Sequence, residues 1–305
     1  MSGSATPTWG SDAVTKFINL TLSGISDGAV YAAVALALVM IWRATRIVNF
    51  AQGAMLMITT FMASAVISST GSYWVGFFVA LLAGLAIGAL AERTVVRPVE
   101  GGPPLNPVIL TLGLYTLLVA VAGMIWGNGQ RSFPVAFSLK GYRVGHTTLL
   151  FTPNDTFIVL VVIAVAAALA LLFRRTSLGL RMRAAAFEPE VARLLGVRVG
   201  TMLTLGWGLA AAVGALAGVL VAPSTFLGPN NFDAVLISGF VAAVLGGLDS
   251  PPGAVVGGLV LGVVLSYVSG YEGSALVPLG ALVILVAVLL VRPSGLFSAT
   301  AERRV

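Results

Sequence analysis

The chain has 305 residues, of which 58% are hydrophobic and only 9% charged, with a net charge of +6 and no cysteine. Soluble domains are about 45–50% apolar and about 25% charged, so a soluble fold is excluded and a multispanning membrane protein remains. The missing cysteines exclude disulfides, thiolate metal sites and a cysteine nucleophile, and a lone histidine, His146, in a polar stretch reads as a loop residue and not a ligand.

Residues 1–18 read as a polar N-terminal tail. It has no basic start ahead of a short apolar core, so no cleaved signal peptide is expected and the first span serves as its own insertion signal. A span needs about 20 mostly apolar residues. Nine candidates follow, at 19–42, 47–69, 73–91, 106–126, 155–173, 201–222, 234–248, 253–271 and 275–291. The second carries the polar Asn49 and Gln52, and the seventh is short enough to be re-entrant, which leaves a count of eight to ten. The expected fold is an all-α polytopic bundle, one transmembrane domain over 19–291 followed by a tail at 292–305.

Basic residues gather at Arg43/Arg46, Arg93/Arg97, Arg174 to Arg198, and Arg292/Arg303/Arg304. With nine spans and an outside N-terminus, all of these groups fall on the cytoplasmic side, following the positive-inside rule. The loop 127–154 then lies outside despite Arg131, Lys140 and Arg143. The basic excess is a topology signal, and no nucleic-acid partner is expected.

Glycines recur at small-xxx-small spacing as Gly24/Gly28, Gly84/Gly88, Gly214/Gly218, Gly253/Gly257 and Gly258/Gly262. Such spacing lets helix backbones approach closely where no hydrophobic force drives association. Gly246, Gly247, Gly253 and Gly257 are accordingly assigned to helix packing. No internal sequence repeat is visible.

Catalytic and energising motifs are missing. A P-loop needs Gly-Lys before Ser or Thr, and neither Lys16 nor Lys140 follows glycine. There is no Gly-x-Ser-x-Gly elbow and no His-Glu-x-x-His. Asp27 lies near the outer end of the first span, far in sequence from any acidic partner, and the span centres hold almost no ionisable groups. That pattern argues against a proton- or sodium-coupled carrier. Asn49 and Gln52 are the strongly polar pair inside an early span, and two roles stay open for them. They bond neighbouring helices, or they line a path with Phe50 and Gly53.

The densest charge lies at 174–200, with six arginines and two glutamates between apolar runs. Pro189 suits the first helical position, Glu190 the first turn, Arg193 the last, and Gly196 a stop. Val191, Leu194 and Leu195 share one face at i, i+3, i+4. The segment reads as a short amphipathic helix, either an anchor on anionic headgroups or a helix that docks into a groove on a soluble partner. An anchor has no need of a bounded helix with its own apolar face and two acids, so docking is the preferred reading.

The segment resembles the cytoplasmic coupling loop of permease subunits in ATP-binding-cassette importers for branched-chain amino acids. The family pattern Gly-x-x-x-Arg-Ala-x-x-x-(Asp/Glu)-x-x-x-Ala-x-x-x-Gly is met by Gly179, Arg183, Ala184, Glu188, Ala192 and Gly196. IVNFAQG at 47–53, ERTVVRP at 92–98, the Gly-rich stretch 242–262 and RPSGLF at 292–297 also match the family, in its order. Gln52 stands where histidine is frequent, Ala54 where an acid is frequent, and Asp249 where a small residue is usual; these departures bear on the substrate.

The resemblance implies a type II importer permease that binds no cofactor itself. It implies a second, similar but different permease chain, two cytosolic ATPases that use ATP and Mg, and an extracytoplasmic substrate-binding protein. It implies a bacterial cytoplasmic membrane location with a cytoplasmic C-terminus. Coupling falls to Arg183, Ala184, Phe187, Glu188, Pro189, Glu190, Val191, Ala192, Leu194, Leu195 and Gly196, and a bulky charge at Ala192 is expected to uncouple transport while leaving the fold intact. Related permeases carry urea, short amides or aromatic acids. A stand-alone facilitator or channel, and a structural scaffold, are the rival classes. Neither has a use for a docking helix.

Overall fold

The computed structural model describes residues 9–99, 103, 105–145 and 147–297. His146, Arg303 and Arg304 lie outside the described residues. The architecture is an α-helical bundle. In chain order the helices are α1 (Trp9–Thr45), α2 (Gln52–Thr70), α3 (Tyr73–Ala91), α4 (Leu105–Trp126), α5 (Pro153–Arg175), α6 (Ser177–Phe187), α7 (Pro189–Leu194), α8 (Val199–Thr225), α9 (Asp233–Gly246), α10 (Pro251–Tyr267) and α11 (Val277–Val291). A two-residue hairpin, β1 (Arg143–Val144) with β2 (Thr147–Thr148), sits in the loop between α4 and α5. Eight of the described helical segments are long and apolar enough to cross a membrane, and α9 is shorter.

Helix order fixes what α9 does. Gly24 of α1 faces Val263 of α10 and Gly28 faces Leu259, so the two helices run antiparallel. Ala44, at the end of α1, lies against Gly206 in the first half of α8. Both α8 and α10 therefore start where α1 finishes, and the chain between them must return across the bundle. The connection 226–232 and α9 make that return. The 14 residues of α9 cover about 21 Å, short of the about 30 Å of hydrocarbon, and the connection supplies the remainder. The seventh segment is thus a crossing and not a re-entrant loop.

Other boundaries move. Residues 9–18, read as tail, are helical, and α1 reaches 37 residues. The second span starts at Gln52 and not at 47, because residues 46–51 are non-helical. Arg46 there adopts a φ of 57°, and the Asn49 carboxamide oxygen accepts from the Ala51 N–H at 3.0 Å. Side-chain capture of the backbone two residues on favours a turn over helix. The loop between α4 and α5 is also tied down. Arg131 bridges Leu227, and Phe137 packs against Trp74 of α3 and Phe157 of α5.

Clear local signals set several helix starts. Thr152 and Asp155 form a capping box ahead of α5, with Pro153 in the first turn. Ser250 accepts from the Gly253 N–H at 3.1 Å ahead of α10 and caps that helix.

The core lies where α1, α2, α8, α9 and α10 meet, and its contacts are backbone-close. A Cβ on Gly24 would lie 2.6 Å from the Val263 Cα, and one on Gly28 would lie 2.9 Å from the Leu259 Cα. A Cβ on Gly84 of α3 would lie 2.8 Å from the Ala211 carbonyl oxygen of α8. By contrast α4, α5 and α11 leave most of their apolar surface uncovered by the rest of the chain. Gly28→Leu is therefore expected to destabilise the chain by at least the roughly 1–3 kcal/mol of an overpacked core. Gly113→Ala, where nothing lies within 4 Å, is expected to be neutral or stabilising by up to about 1 kcal/mol, because alanine is the better helix former. Melting temperatures in detergent check both.

Candidate functional site

The arginine-rich stretch forms a helix–bend–helix. Thr176 caps α6 by accepting from the Gly179 N–H at 3.0 Å. Glu188 leaves helical geometry, because the Pro189 that follows disfavours it there. Pro189 then opens α7, and Gly196 ends the turn in the left-handed region at φ 80°. Pro189 takes the first helical position, as the sequence pattern indicated, while Phe187 belongs to the end of α6, before the bend.

The two faces of this unit differ sharply. Met182, Ala185 and Ala192 pack against Val199, Met202 and Leu203 of α8. Phe187, Leu194 and Leu195 are 84%, 87% and 77% exposed, and Val191 is 50% exposed. Arg183, Glu188, Pro189, Glu190 and Arg193 are exposed around them, and Ala184 is half-buried. Ala192 corrects the expectation drawn from sequence: at 2% exposure it holds α7 onto α8, and a bulky charge there would break that packing.

A buried ion pair stands behind the unit, and sequence analysis did not find it. Glu92 is fully buried, and Arg97 meets it through two bonds, Nε to Oε1 at 3.0 Å and Nη2 to Oε2 at 2.8 Å. Arg97 Nη2 also donates to the Gly200 carbonyl at 2.7 Å and to Thr204 Oγ1 at 2.7 Å. Thr204 in turn donates to Glu92 Oε2 at 2.7 Å. The group locks the end of α3 onto the start of α8, beside the α6–α7 unit. The ERTVVRP match held the signal, since Glu92 and Arg97 lie within two turns of each other.

Asn49 and Gln52 are buried, at 1% and 0% exposure. Asn49 Nδ2 donates to Gln52 Oε1 at 3.1 Å, and Gln52 Nε2 donates to the Ala210 carbonyl of α8 at 3.2 Å. A Cβ on Gly214 would collide with the Gln52 amide. In this conformation the pair bonds to itself and to α8, which offsets the cost of burying amides. Phe50 is 37% exposed, while Gly53 is buried against Leu236 of α9.

Gly246, Gly253 and Gly257 sit where α9 crosses α10; a Cβ on Gly257 would lie 2.8 Å from the Gly246 nitrogen. Gly247 follows α9 at φ 98°. The segment 292–297 is no free tail: Leu296 N–H donates to the Leu245 carbonyl at 2.9 Å, and Phe297 N–H to Gly246 at 3.2 Å. Asp249 pairs with Arg46 on the surface, where both side chains are more than half exposed. Such a pair is worth little. Asp27 is less isolated than its sequence suggests, since its neighbour Ser26 donates to Asp155 of α5 at 2.8 Å.

A polytopic helical bundle whose basic end carries a short helix with a bare apolar face is the form of a membrane permease. The chain belongs to the family of branched-chain amino acid transport system permease components, whose model matches residues 20–292. It is similar to LivH of Escherichia coli, a high-affinity branched-chain amino acid transport system permease protein, with 30% identity over 295 residues, 92% of this chain and 95% of the relative. BraD of Pseudomonas aeruginosa, a permease protein of the same description, is 27% identical over 302 residues, 93% of this chain and 96% of its own. A probable branched-chain amino acid transport permease protein of Methanocaldococcus jannaschii is 28% identical over 281 residues, 86% of each chain.

The ion pair supplies a test of the architecture. Glu92→Ala leaves Arg97 without its carboxylate, but Arg97 is 35% exposed and keeps Gly200 and Thr204, so the expected cost is about 1–3 kcal/mol. The E92A/R97A double variant is expected to lose less than the sum of the single losses, by on the order of 1–3 kcal/mol. Thermal or denaturant unfolding in detergent measures the cycle.

Proposed function

We propose that the chain is the permease subunit of an ATP-driven importer for branched-chain or related amino acids and forms half of the translocation path. The observation that carries this reading is the bare face of the α6–α7 unit. Phe187, Leu194 and Leu195 stand bare at the arginine-bearing end of a chain that belongs to a permease family. An apolar helix face rimmed by charge suits a groove on a soluble partner.

In this reading the arginine-bearing end is cytoplasmic, the N-terminus lies outside and the C-terminus inside the bacterial cytoplasmic membrane. A second, similar permease chain completes the path, and an extracytoplasmic binding protein delivers the substrate. Two cytosolic ATP-binding subunits use ATP and Mg. Closure of the ATPases moves α7. Ala192 passes the motion to α8 through its packing with Val199 and Met202, and the Glu92–Arg97–Thr204 group carries it on to α3. Asn49 and Gln52, on the line between α2 and α8, are the polar groups nearest the proposed path. The same importer type acting on urea, short amides or aromatic acids differs only in which ligand stimulates the ATPases.

Leu194→Asp is expected to keep the chain folded and membrane-inserted, since the side chain is exposed, and to cut uptake by roughly tenfold or more, as loss of an interface anchor does. Asn49→Ala and Gln52→Ala are expected to change uptake without loss of assembly; radiolabelled leucine uptake, with complex recovery as control, measures both. Purification in mild detergent from the native membrane, followed by mass spectrometry, is expected to recover one or two P-loop ATPases and a second permease in stoichiometric amounts. Recovery of the chain alone as a stable homo-oligomer would replace the importer reading with that of a facilitator.

A further inference from the structure

A cavity of about 320 Å³ opens at the arginine-bearing end of the bundle, between the end of α1, the end of α5, α6 and α8. Phe173, Met182 and Met202 give it apolar walls, and Arg43, Arg46 and Arg183 also line it. Three guanidinium groups in one small lining repel one another. Asp249 is the acid set against Arg43, and it is already paired with Arg46. Among the described residues neither Arg43 nor Arg183 makes a salt bridge.

An apolar pit with two unmatched arginines needs a ligand that is greasy at one end and anionic at the other. A free anion would leave the apolar wall unfilled, and a neutral apolar molecule would leave the guanidiniums without a counter-charge. Guanidinium groups are suited to phosphate oxygens, which they can bind two at a time. The place also fits. Arg43 lies in the last turn of α1 and Arg174 at the end of α5, where spans meet headgroups. Helix α5 buries only Asn154, Ile158 and Val162, so this chain leaves most of that flank of the bundle uncovered.

We infer that this cavity binds one anionic phospholipid, its phosphate held by Arg43 and Arg183 and its first acyl carbons lying along Phe173, Met182 and Met202. Basic pockets between spans on the cytoplasmic side take such headgroups. The lipid braces α6 against α1 and α8, because Met182, Arg183, Ala186 and Phe187 of α6 line the same cavity. Lipid composition therefore acts on the α6–α7 unit one turn before its bend. The binding claim does not depend on what the permease carries or on the partners of α7.

The experiment is native mass spectrometry of the full chain, with whatever partners co-purify, after reconstitution with equal amounts of phosphatidylglycerol and phosphatidylcholine. One phosphatidylglycerol per chain is expected to survive activation that strips phosphatidylcholine. R43Q/R183Q is expected to lower its retention roughly tenfold or more, equivalent to about 1.4 kcal/mol. R174Q/R175Q removes the same charge from exposed neighbouring positions and is expected to keep the lipid. A186F fills the cavity, leaves every arginine in place and is expected to lose the lipid; it decides the matter alone if R43Q/R183Q does not fold. Equal retention of the two lipids, full retention by A186F, or equal loss in R174Q/R175Q overturns the assignment. Displacement of the lipid by excess inorganic phosphate would also overturn it, since the cavity would then be a plain phosphate site.

Discussion

The whole bundle depends on helices touching backbone to backbone. Lipid tails are as apolar as leucine, so hydrophobic force does not draw one span to another, and packing has to do it. The antiparallel crossing of α1 and α10 has no room for a side chain at Gly24, Gly28, Gly258 or Gly262. The α3–α8 crossing leaves none at Gly84 or Gly88. From these crossings follow the central place of α8, the direction of α10 and the need for a return through α9. The peripheral helices α4, α5 and α11 are then free to be almost uniformly apolar.

Polar groups inside this frame are few and almost fully matched. Glu92 would be costly alone in a membrane protein, yet with Arg97 and Thr204 it becomes a fastener between two helices. Gln52 follows the same logic on a smaller scale. Its amide finds a carbonyl of α8, and Gly214 is bare because the amide occupies the space a side chain would take. The α6–α7 unit is the contrast. It buries Ala192 and Ala185 on one side and leaves Phe187, Leu194 and Leu195 in the open on the other. A bundle economical with polar groups inside has here left large apolar groups outside, on the side where the arginines lie.

Much of this was legible along the chain. The segments at 73–91, 106–126 and 275–291 agree with helices within two residues, because uninterrupted, mostly apolar runs of about that length permit little else. Pro189 and Gly196 announced both ends of α7, and the paired glycines announced close crossings. The errors have a common cause. The second span was extended through Asn49 because its hydropathy stays high, whereas the Asn49 side chain draws the backbone into a turn. Residues 9–18 were read as tail because Ser11, Asp12, Thr15 and Lys16 interrupt the apolar residues there, yet they continue the long helix that α10 supports.

The sequence by itself determined the membrane class, the number of apolar segments to within one, and the short amphipathic helix at 189–194, since each is set by composition or by residues within a turn or two of one another. Only the tertiary structure decided which glycine meets which helix, that Ala192 faces inward while Leu194 faces out, and that Glu92, Arg97 and Thr204 form one group. Those facts join residues far apart in the chain, such as Glu92 with Thr204 and Arg46 with Asp249. Distance along the chain carries no record of such neighbours. It is the close crossing of spans that creates them.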